Sequence, residues 1–162
     1  MALKPRTRRI ALGTTMVAVG AGAAGFGAPI AAATQTSTSC VGTLVQHTAL
    51  KGDSSGTVLG YLDIYWDSAT GQNCAMTQSS SATYGVAKSM TVEMWECVTD
   101  TPNANSDCSG VGGTGVSDFS LSFRYYAGPV STPGSGHCID AFGQVIMSNG
   151  DLAEYGTGAS HC

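Results

Sequence analysis

Residues 58–66 read Val-Leu-Gly-Tyr-Leu-Asp-Ile-Tyr-Trp, and from Gly60 onward their side chains alternate with a period of two. In an extended chain, one side carries Val58, Leu62, Ile64 and Trp66, and the other carries Tyr61, Asp63, Tyr65 and Asp67. This alternation is typical of a β-strand that buries one face and exposes the other. The stretch therefore predicts one strand of an antiparallel sheet.

Two later segments show the same alternation. In the first, Met90, Val92 and Met94 alternate with Thr91, Glu93 and Trp95. In the second, the predicted buried face is Phe119, Leu121, Phe123 and Tyr125, and the predicted solvated face is Ser120, Ser122 and Arg124. No segment after residue 33 sustains the apolar repeat of a helix, and Gly, Ser and Thr, which disfavour helix interiors, are frequent.

Turn-forming residues separate these segments. Residues 67–73 contain Gly71, which can adopt a positive φ, and they predict a hairpin loop. Residues 148–151 contain Asn149-Gly150, a pair that favours tight hairpin turns. We therefore predict an all-β fold, a disulfide-stabilised antiparallel β-sandwich of about seven or eight strands.

The N-terminal residues have the features of a signal peptide. A basic segment with Arg8-Arg9 precedes an uncharged run that ends at Ile30, and the small residues Ala31-Ala32-Ala33 follow. We predict that residues 1–33 are a signal peptide and that residues 34–162 form a single secreted domain. The alternative is a retained membrane anchor. The arginine pair leaves the export route open between the general secretory and twin-arginine pathways.

Removal of the leader changes the charge of the chain. The leader holds four of the seven basic residues and none of the eleven acidic residues, so the net charge falls from −4 to −8. Only Lys51, Lys88 and Arg124 then remain as cations. A surface of this charge repels nucleic acid and anionic lipid, so we expect neither as a partner.

All six cysteines lie after the predicted leader, and an even number in an exported chain predicts three disulfides. The favoured pairs are Cys40–Cys74, Cys97–Cys108 and Cys138–Cys162. The main alternative joins Cys40 to Cys162 and Cys74 to Cys138. Because the cysteines lack Cys-x-x-Cys spacing, a structural zinc site is not expected.

The polar segment of residues 100–107 is expected to form a protruding loop closed by the Cys97–Cys108 disulfide. A weak calcium-site candidate comprises Asp100, Asn103, Asn105 and Asp107. These residues do not fit an EF-hand, because the sixth and twelfth positions counted from Asp100 are Asn105 and Val111. Turns closed by Asp and Asn side chains explain the same composition without an ion. We therefore expect no metal and no cofactor.

Four aromatic side chains on predicted solvated faces form a candidate binding surface: Tyr61, Tyr65, Trp95 and Tyr126. If their strands are neighbours, they form an aromatic platform for a glycan or another polymer. The alternative is that the two faces of these strands have been assigned the wrong way round.

Several segments resemble the spore-associated protein A-like family of secreted actinobacterial proteins. The resemblance runs from Gly56-Thr57-Val58 through Tyr65, Thr70-Gly71-Gln72-Asn73-Cys74 and Ala75-Met76-Thr77 to Tyr126-Ala127-Gly128-Pro129-Val130, Gly136-His137-Cys138-Ile139-Asp140 and His161-Cys162. These segments cover roughly half of residues 34–162. The resemblance implies a small exported β-domain associated with spores or culture medium, and it supplies no catalytic residues. The Cys97–Cys108 loop looks like an addition to the family's four-cysteine pattern.

Residues 52–56, Gly-Asp-Ser-Ser-Gly, match the Gly-x-Ser-x-Gly pattern of a serine hydrolase, but no helical repeat follows them, and the nucleophile elbow of such an enzyme is a strand-to-helix turn. We therefore expect a non-enzymatic protein, secreted or held at the spore surface or cell envelope, that binds a surface polymer or glycan and is a monomer. One alternative is a small secreted hydrolase, for which His137 and Asp140 are the nearest candidates. Another is a secreted protease inhibitor that presents the 100–107 loop.

Overall fold

A computed structural model describes residues 39–105, 108 and 115–162. The predicted signal peptide, residues 1–33, and Asp107 of the calcium candidate lie outside the described residues. In the described part, no helix is long and apolar enough to cross a membrane.

Eight strands make up the fold, and the described residues include no α-helix. The strands are β1 (Thr43–Lys51), β2 (Val58–Asp67), β3 (Gln72–Ser79), β4 (Lys88–Glu96), β5 (Gly115–Phe123), β6 (Tyr126–Pro133), β7 (Ile139–Ile146) and β8 (Leu152–Gly156). They form two antiparallel sheets, a first sheet in the order β1-β2-β3-β6 and a second in the order β5-β4-β7-β8. The predicted all-β sandwich is confirmed.

The predicted hairpin turns are also found. Between β2 and β3, Asp67 accepts hydrogen bonds from the Ala69 N–H at 2.9 Å and from the Thr70 hydroxyl at 2.8 Å. These bonds lower the pKa of the Asp67 carboxyl below its usual value. Gly71 completes this turn with a φ of 67°, and Gly150 in the β7–β8 turn has a φ of 85°. Both angles are in the region that glycine adopts without steric cost.

The apolar core lies between the inner faces of the two sheets. Leu62 and Ile64 on β2, and Met90, Val92 and Met94 on β4, are fully buried. These are the faces predicted from the alternation of β2 and β4. Burying each such side chain contributes about 1.5–3 kcal/mol, so this layer supplies much of the stability of the sandwich.

For β5, the sequence analysis assigned the buried face to the wrong set of alternating side chains. Phe119 and Leu121 are 57% and 75% exposed, whereas Asp118 and Ser120 lie opposite the core residues Val92 and Met90. The physical reason is that β5 is an edge strand whose inner side faces β6, and the Asp118 carboxylate accepts a backbone hydrogen bond there. Of the four residues predicted to be buried, Phe123 packs against the core and Tyr125 is 48% exposed.

The structure contains three disulfides: Cys40–Cys74, Cys97–Cys108 and Cys138–Cys162. These are the pairs favoured from the sequence, and the alternative that joins Cys40 to Cys162 is not found. Cys97, Cys108 and Cys138 form a second, smaller buried cluster, against which the Trp95 side chain packs.

Lys88 begins β4 and is only 2% exposed. Its ammonium group donates to the carbonyls of Thr83 and Val86, both at 2.9 Å, and of Arg124 at 3.2 Å. Three carbonyls match the three donors of an ammonium group. Burial, and to a lesser extent the charge of Arg124, lowers the pKa of Lys88. This contact fastens the loop before β4 to the β5–β6 connection.

Candidate functional site

The solvent-facing side of the first sheet carries a row of aromatic and polar residues. Tyr61 on β2 is paired with Gln78 on β3, and Gln78 is paired with Tyr126 on β6. Residues directly opposite in antiparallel strands point to the same side of the sheet. Asp63 and Tyr65 share that side because they alternate with buried Leu62 and Ile64. We call this surface the tyrosine face: Tyr61, Tyr65 and Tyr126, with His47, Asp63 and Gln78.

A buried carboxylate lies at the centre of the tyrosine face. Asp63 is only 5% exposed and accepts hydrogen bonds from His47 Nδ1 at 2.5 Å and from Gln78 Nε2 at 2.8 Å. An ionised carboxylate only accepts, so the bonded His47 Nδ1 carries the proton. In the neutral imidazole Nε2 is then the acceptor, and the His47 side chain is 52% exposed. Asp63 thus fixes the orientation of two polar side chains.

The aromatic rings of this surface are held in place by their neighbours. The His47 ring stacks on the Tyr61 ring with a centroid distance of 4.4 Å and an interplanar angle of 19°. Burial, and to a lesser extent the charge of Asp63, raises the pKa of Tyr65 above its usual value. The Tyr65 phenol therefore stays protonated at neutral pH, so its side chain offers both an apolar ring and a hydroxyl hydrogen-bond donor.

The structure brings together three of the four aromatic residues predicted as a binding surface. Tyr61, Tyr65 and Tyr126 share one face of the first sheet, but Trp95 belongs to β4 of the second sheet. Trp95 packs against the disulfide cluster and is paired with Gly115, where an added Cβ would overlap the indole. Its contacts give Trp95 a packing role.

Sequence reasoning did not single out His47, which the fold places opposite Asp63. The two residues are equidistant in sequence from Ser55, in the loop between β1 and β2. A hairpin centred on Ser55 pairs them, and residues 52–56, Gly-Asp-Ser-Ser-Gly, have the composition of such a turn. The turn composition of residues 52–56 could therefore have predicted that His47 lies opposite Asp63.

The histidine and aspartate proposed for a hydrolase have different partners. His137 Nε2 lies 3.7 Å from the Glu96 carboxylate. Asp140 is 7% exposed, and its carboxylate accepts from the Cys108 N–H at 3.3 Å and the Thr157 hydroxyl at 3.4 Å. Asp140 therefore fastens the disulfide cluster to the end of β8.

In the 100–107 loop, the described polar side chains bond within the loop. Asp100 accepts from the Thr101 hydroxyl at 3.2 Å, and Asn103 Oδ1 accepts from the Asn105 N–H at 3.1 Å. The backbone of Asn103 pairs with Ala159. Within the described residues, no group of three or more His, Cys, Asp or Glu side chains is placed to hold a metal ion.

No protein-family model, no curated protein and no solved structure matches this chain. The chemistry of the tyrosine face therefore has to be argued from its own residues. It offers stacking surfaces, phenol donors and an imidazole acceptor, arranged across adjacent strands on one side of a sheet. Such a surface suits a ligand that has apolar ring faces and many hydroxyl groups.

Proposed function

We propose that this chain is a secreted, non-enzymatic binding module whose tyrosine face holds a neutral glycan of the spore surface or cell envelope. The observation that carries the proposal is the row Tyr61–Gln78–Tyr126, in which two aromatic rings flank a side-chain amide. The resemblance to spore-associated proteins and the predicted signal peptide support the location. The three disulfides support an oxidising compartment outside the cytosol.

The spacing of the row suits a polymer with repeating rings. Tyr61 and Tyr126 lie on strands separated by β3, so their backbones are roughly 10 Å apart, twice the distance between neighbouring strands. Each tyrosine presents an apolar ring face to a sugar ring and a hydroxyl group to its oxygens. Gln78 lies between them and can both donate and accept.

Charge favours a neutral polymer over an anionic one. Residues 34–162 carry a net charge of −8, and Asp63 lies within the tyrosine face. An anionic polymer would be repelled by this field. We therefore expect binding that does not depend strongly on ionic strength, because screening matters chiefly where charges attract or repel.

The test is a pull-down of the purified protein with three insoluble polymers: chitin, cellulose and isolated cell-wall sacculi. We expect at least one polymer to retain the protein, and the double variant Tyr61→Ala/Tyr126→Ala to bind at least about 10-fold more weakly, a loss of about 1.4 kcal/mol. Tyr155→Ala is the matched control, because Tyr155 is a 40% exposed tyrosine on β8 of the second sheet. Equal retention of the double variant and the control would refute the proposal.

A small secreted hydrolase is the second candidate, and the His47–Asp63 pair is the observation that favours it. A carboxylate bonded to Nδ1 orients the imidazole so that Nε2 is available as a general base. Among the described residues, however, the hydrogen bonds of His47 include no hydroxyl or thiol nucleophile. Turnover of any retained polymer that disappears in His47→Ala, with the fold intact, would establish the hydrolase in place of the binding module.

A further inference from the structure

The three tyrosines of the tyrosine face are spread in two directions over the first sheet. Tyr61 and Tyr126 lie in one row across the strands, with β3 between them. Tyr65 lies on the same strand as Tyr61, further along β2 towards the β2–β3 hairpin. At about 3.3 Å per residue, the backbones of these two β2 tyrosines are roughly 13 Å apart. The three residues therefore occupy the corners of a triangle and do not lie along one line.

Between these corners, outward-pointing side chains are covered by other parts of the protein. Asp63 and Met76 are directly opposite each other on β2 and β3, in the row next to that of Tyr61 and Gln78. Both point to the outer side of the sheet, because residues directly opposite share one side and Asp63 alternates with buried Ile64. Nevertheless, they are only 5% and 3% exposed. The sheet between the tyrosines is therefore covered, and the charge of Asp63 lies beneath the surface that a ligand would meet.

Hydrogen bonds and stacking fix the side chains of this surface before a ligand arrives. Asp63 accepts from His47 Nδ1 and from Gln78 Nε2, and the His47 ring stacks on Tyr61. Side chains that are already ordered lose little conformational entropy on binding. Such a preorganised surface suits a ligand that is itself rigid.

The cavities of the sandwich lie elsewhere. Three pockets, of about 310, 170 and 340 Å³, are lined by residues outside the tyrosine face. Small soluble ligands are usually held in concave sites that bury most of their surface. The tyrosine face belongs to none of these three cavities, which favours a ligand that is an extended surface.

We propose that the tyrosine face binds the flat surface of an insoluble, neutral polysaccharide in which several chains lie side by side. The inference rests on the function proposed above and specifies the physical form of the glycan. A single chain is one sugar ring wide, so it covers Tyr61 and Tyr126 when it crosses the strands, or Tyr61 and Tyr65 when it runs along β2. A surface of packed chains reaches all three tyrosines at once. Binding is strengthened because the second and third contacts form within an existing complex.

The experiment compares crystalline and amorphous forms of the same polymer. Crystalline cellulose and chitin expose flat faces of packed chains, and swelling in phosphoric acid disrupts the packing without changing the sugar. We expect at least one crystalline polymer to retain the protein at least about 10-fold more strongly than its swollen form does. Its soluble hexasaccharide at about 1 mM should not displace the protein, because one short chain cannot make all three contacts. Equal retention by the two forms, or displacement by the hexasaccharide, would overturn the inference without requiring any variant.

Tyr65 distinguishes a packed surface from a single chain that crosses the strands. Tyr65→Ala should weaken retention by the crystalline polymer at least about 10-fold, whereas Tyr65→Phe keeps the ring and should bind like the unmodified protein. Tyr155→Ala on the second sheet is again the matched control. Unchanged retention of Tyr65→Ala, together with a loss in Tyr61→Ala/Tyr126→Ala, would indicate a single chain lying across the strands. That result would overturn this inference and leave the proposed function standing.

Failure of the proposed function gives a different result. If no polymer retains the protein, or if all the tyrosine variants are retained like Tyr155→Ala, the tyrosine face does not bind glycans and both proposals are wrong. Retention by cell-wall sacculi alone, lost in Tyr61→Ala/Tyr126→Ala, would support the proposed function and overturn the inference of a flat crystalline surface.

Discussion

Asp118 Oδ2 accepts a hydrogen bond from the Gly128 N–H at 2.7 Å, and this bond joins β5 of one sheet to β6 of the other. Gly128 has a φ of 96°, and a Cβ there would lie 2.9 Å from the Ala75 carbonyl oxygen. The backbone at this position thus passes very close to β3. The Asp118 carboxylate satisfies the N–H of a segment that has little room to rearrange.

Replacing Asp118 with alanine should destabilise the protein by about 1.5–3 kcal/mol, because a hydrogen bond to a charged group is lost and a partly buried N–H is left unpaired. Urea unfolding followed by fluorescence measures this change. Ser117→Ala is the control, since Ser117 is an exposed neighbour on the same strand. Equal unfolding midpoints for the two variants would show that Gly128 finds another acceptor.

The exposed face of β5 should tolerate polar substitution. Phe119→Thr and Leu121→Thr should each change the free energy of unfolding by less than about 0.5 kcal/mol, as is usual for surface sites. Leu62→Ala in the core should cost about 2–5 kcal/mol. Chemical denaturation of the three variants side by side provides the comparison. A loss at Leu121 that approaches the loss at Leu62 would mean that β5 has the phase predicted from its sequence.

Asp151 clamps the β1–β2 loop and should make stability depend on acid pH. Hydrogen bonds from Ser55 and Ser54 lower the pKa of its carboxyl, and the Ser54 hydroxyl lies 2.7 Å from Asp151 Oδ1. A carboxyl whose pKa is lowered by folding stabilises the fold above its unfolded pKa, and this stabilisation is lost as the pH falls through the folded pKa.

Asp151→Asn should therefore lower the melting temperature at neutral pH, and the difference from the unmodified protein should shrink at about pH 3. Asp53→Asn, an exposed carboxyl in the same loop, should show no such difference. Thermal unfolding followed by circular dichroism at the two pH values tests this prediction. If the difference in melting temperature between Asp151→Asn and the unmodified protein is the same at both pH values, the stabilisation by Asp151 does not depend on its ionisation and the prediction is wrong.

His161 should weaken the fold in mild acid. Burial lowers its pKa below the usual 6.5, so the unfolded chain binds the proton more readily than the folded protein. Well above pH 6.5 both states are neutral and this group does not affect stability, whereas stability falls as the pH drops through 6.5 towards the folded pKa. His161→Asn should flatten that decline, and asparagine tolerates the positive φ at this position.

The measurement is the urea midpoint between neutral pH and about pH 5. His137→Asn is the control, since His137 is half exposed and on a different loop. The prediction fails if both variants keep the full acid decline of the unmodified protein.

The sequence predicted the parts of the fold that depend on local alternation. Strands β2 and β4 each have one buried face, so Leu62 and Val92 could be assigned to the core by period alone. The phase of β5 could not be assigned in this way, because its inner side is decided by a bond between Asp118 and a backbone N–H of another sheet. Apolar residues at an edge strand remain exposed where a polar contact outweighs their burial.

The candidate sites were less predictable, because they join residues that are distant in sequence. The tyrosines of β2 and β6 could be proposed from alternation, but their adjacency depends on β3 lying between those strands. His47 required the register of the β1–β2 hairpin. A pocket lined by Val45, Trp66, Gly134 and His161 joins four separate segments of the chain, and no short-range pattern reports such convergence.

The enclosure of Lys88 has a practical consequence for immobilising the protein. Residues 39–162 contain two lysines, and only Lys51 is exposed, whereas the Lys88 ammonium group is enclosed by three carbonyls. Reagents that acylate lysine side chains should therefore couple to this part of the chain at Lys51 alone. Lys51 ends β1, at an edge of the first sheet. Within residues 39–162, a lysine-reactive resin would therefore attach at the Lys51 side chain alone, and a lysine-reactive dye would label that one side chain.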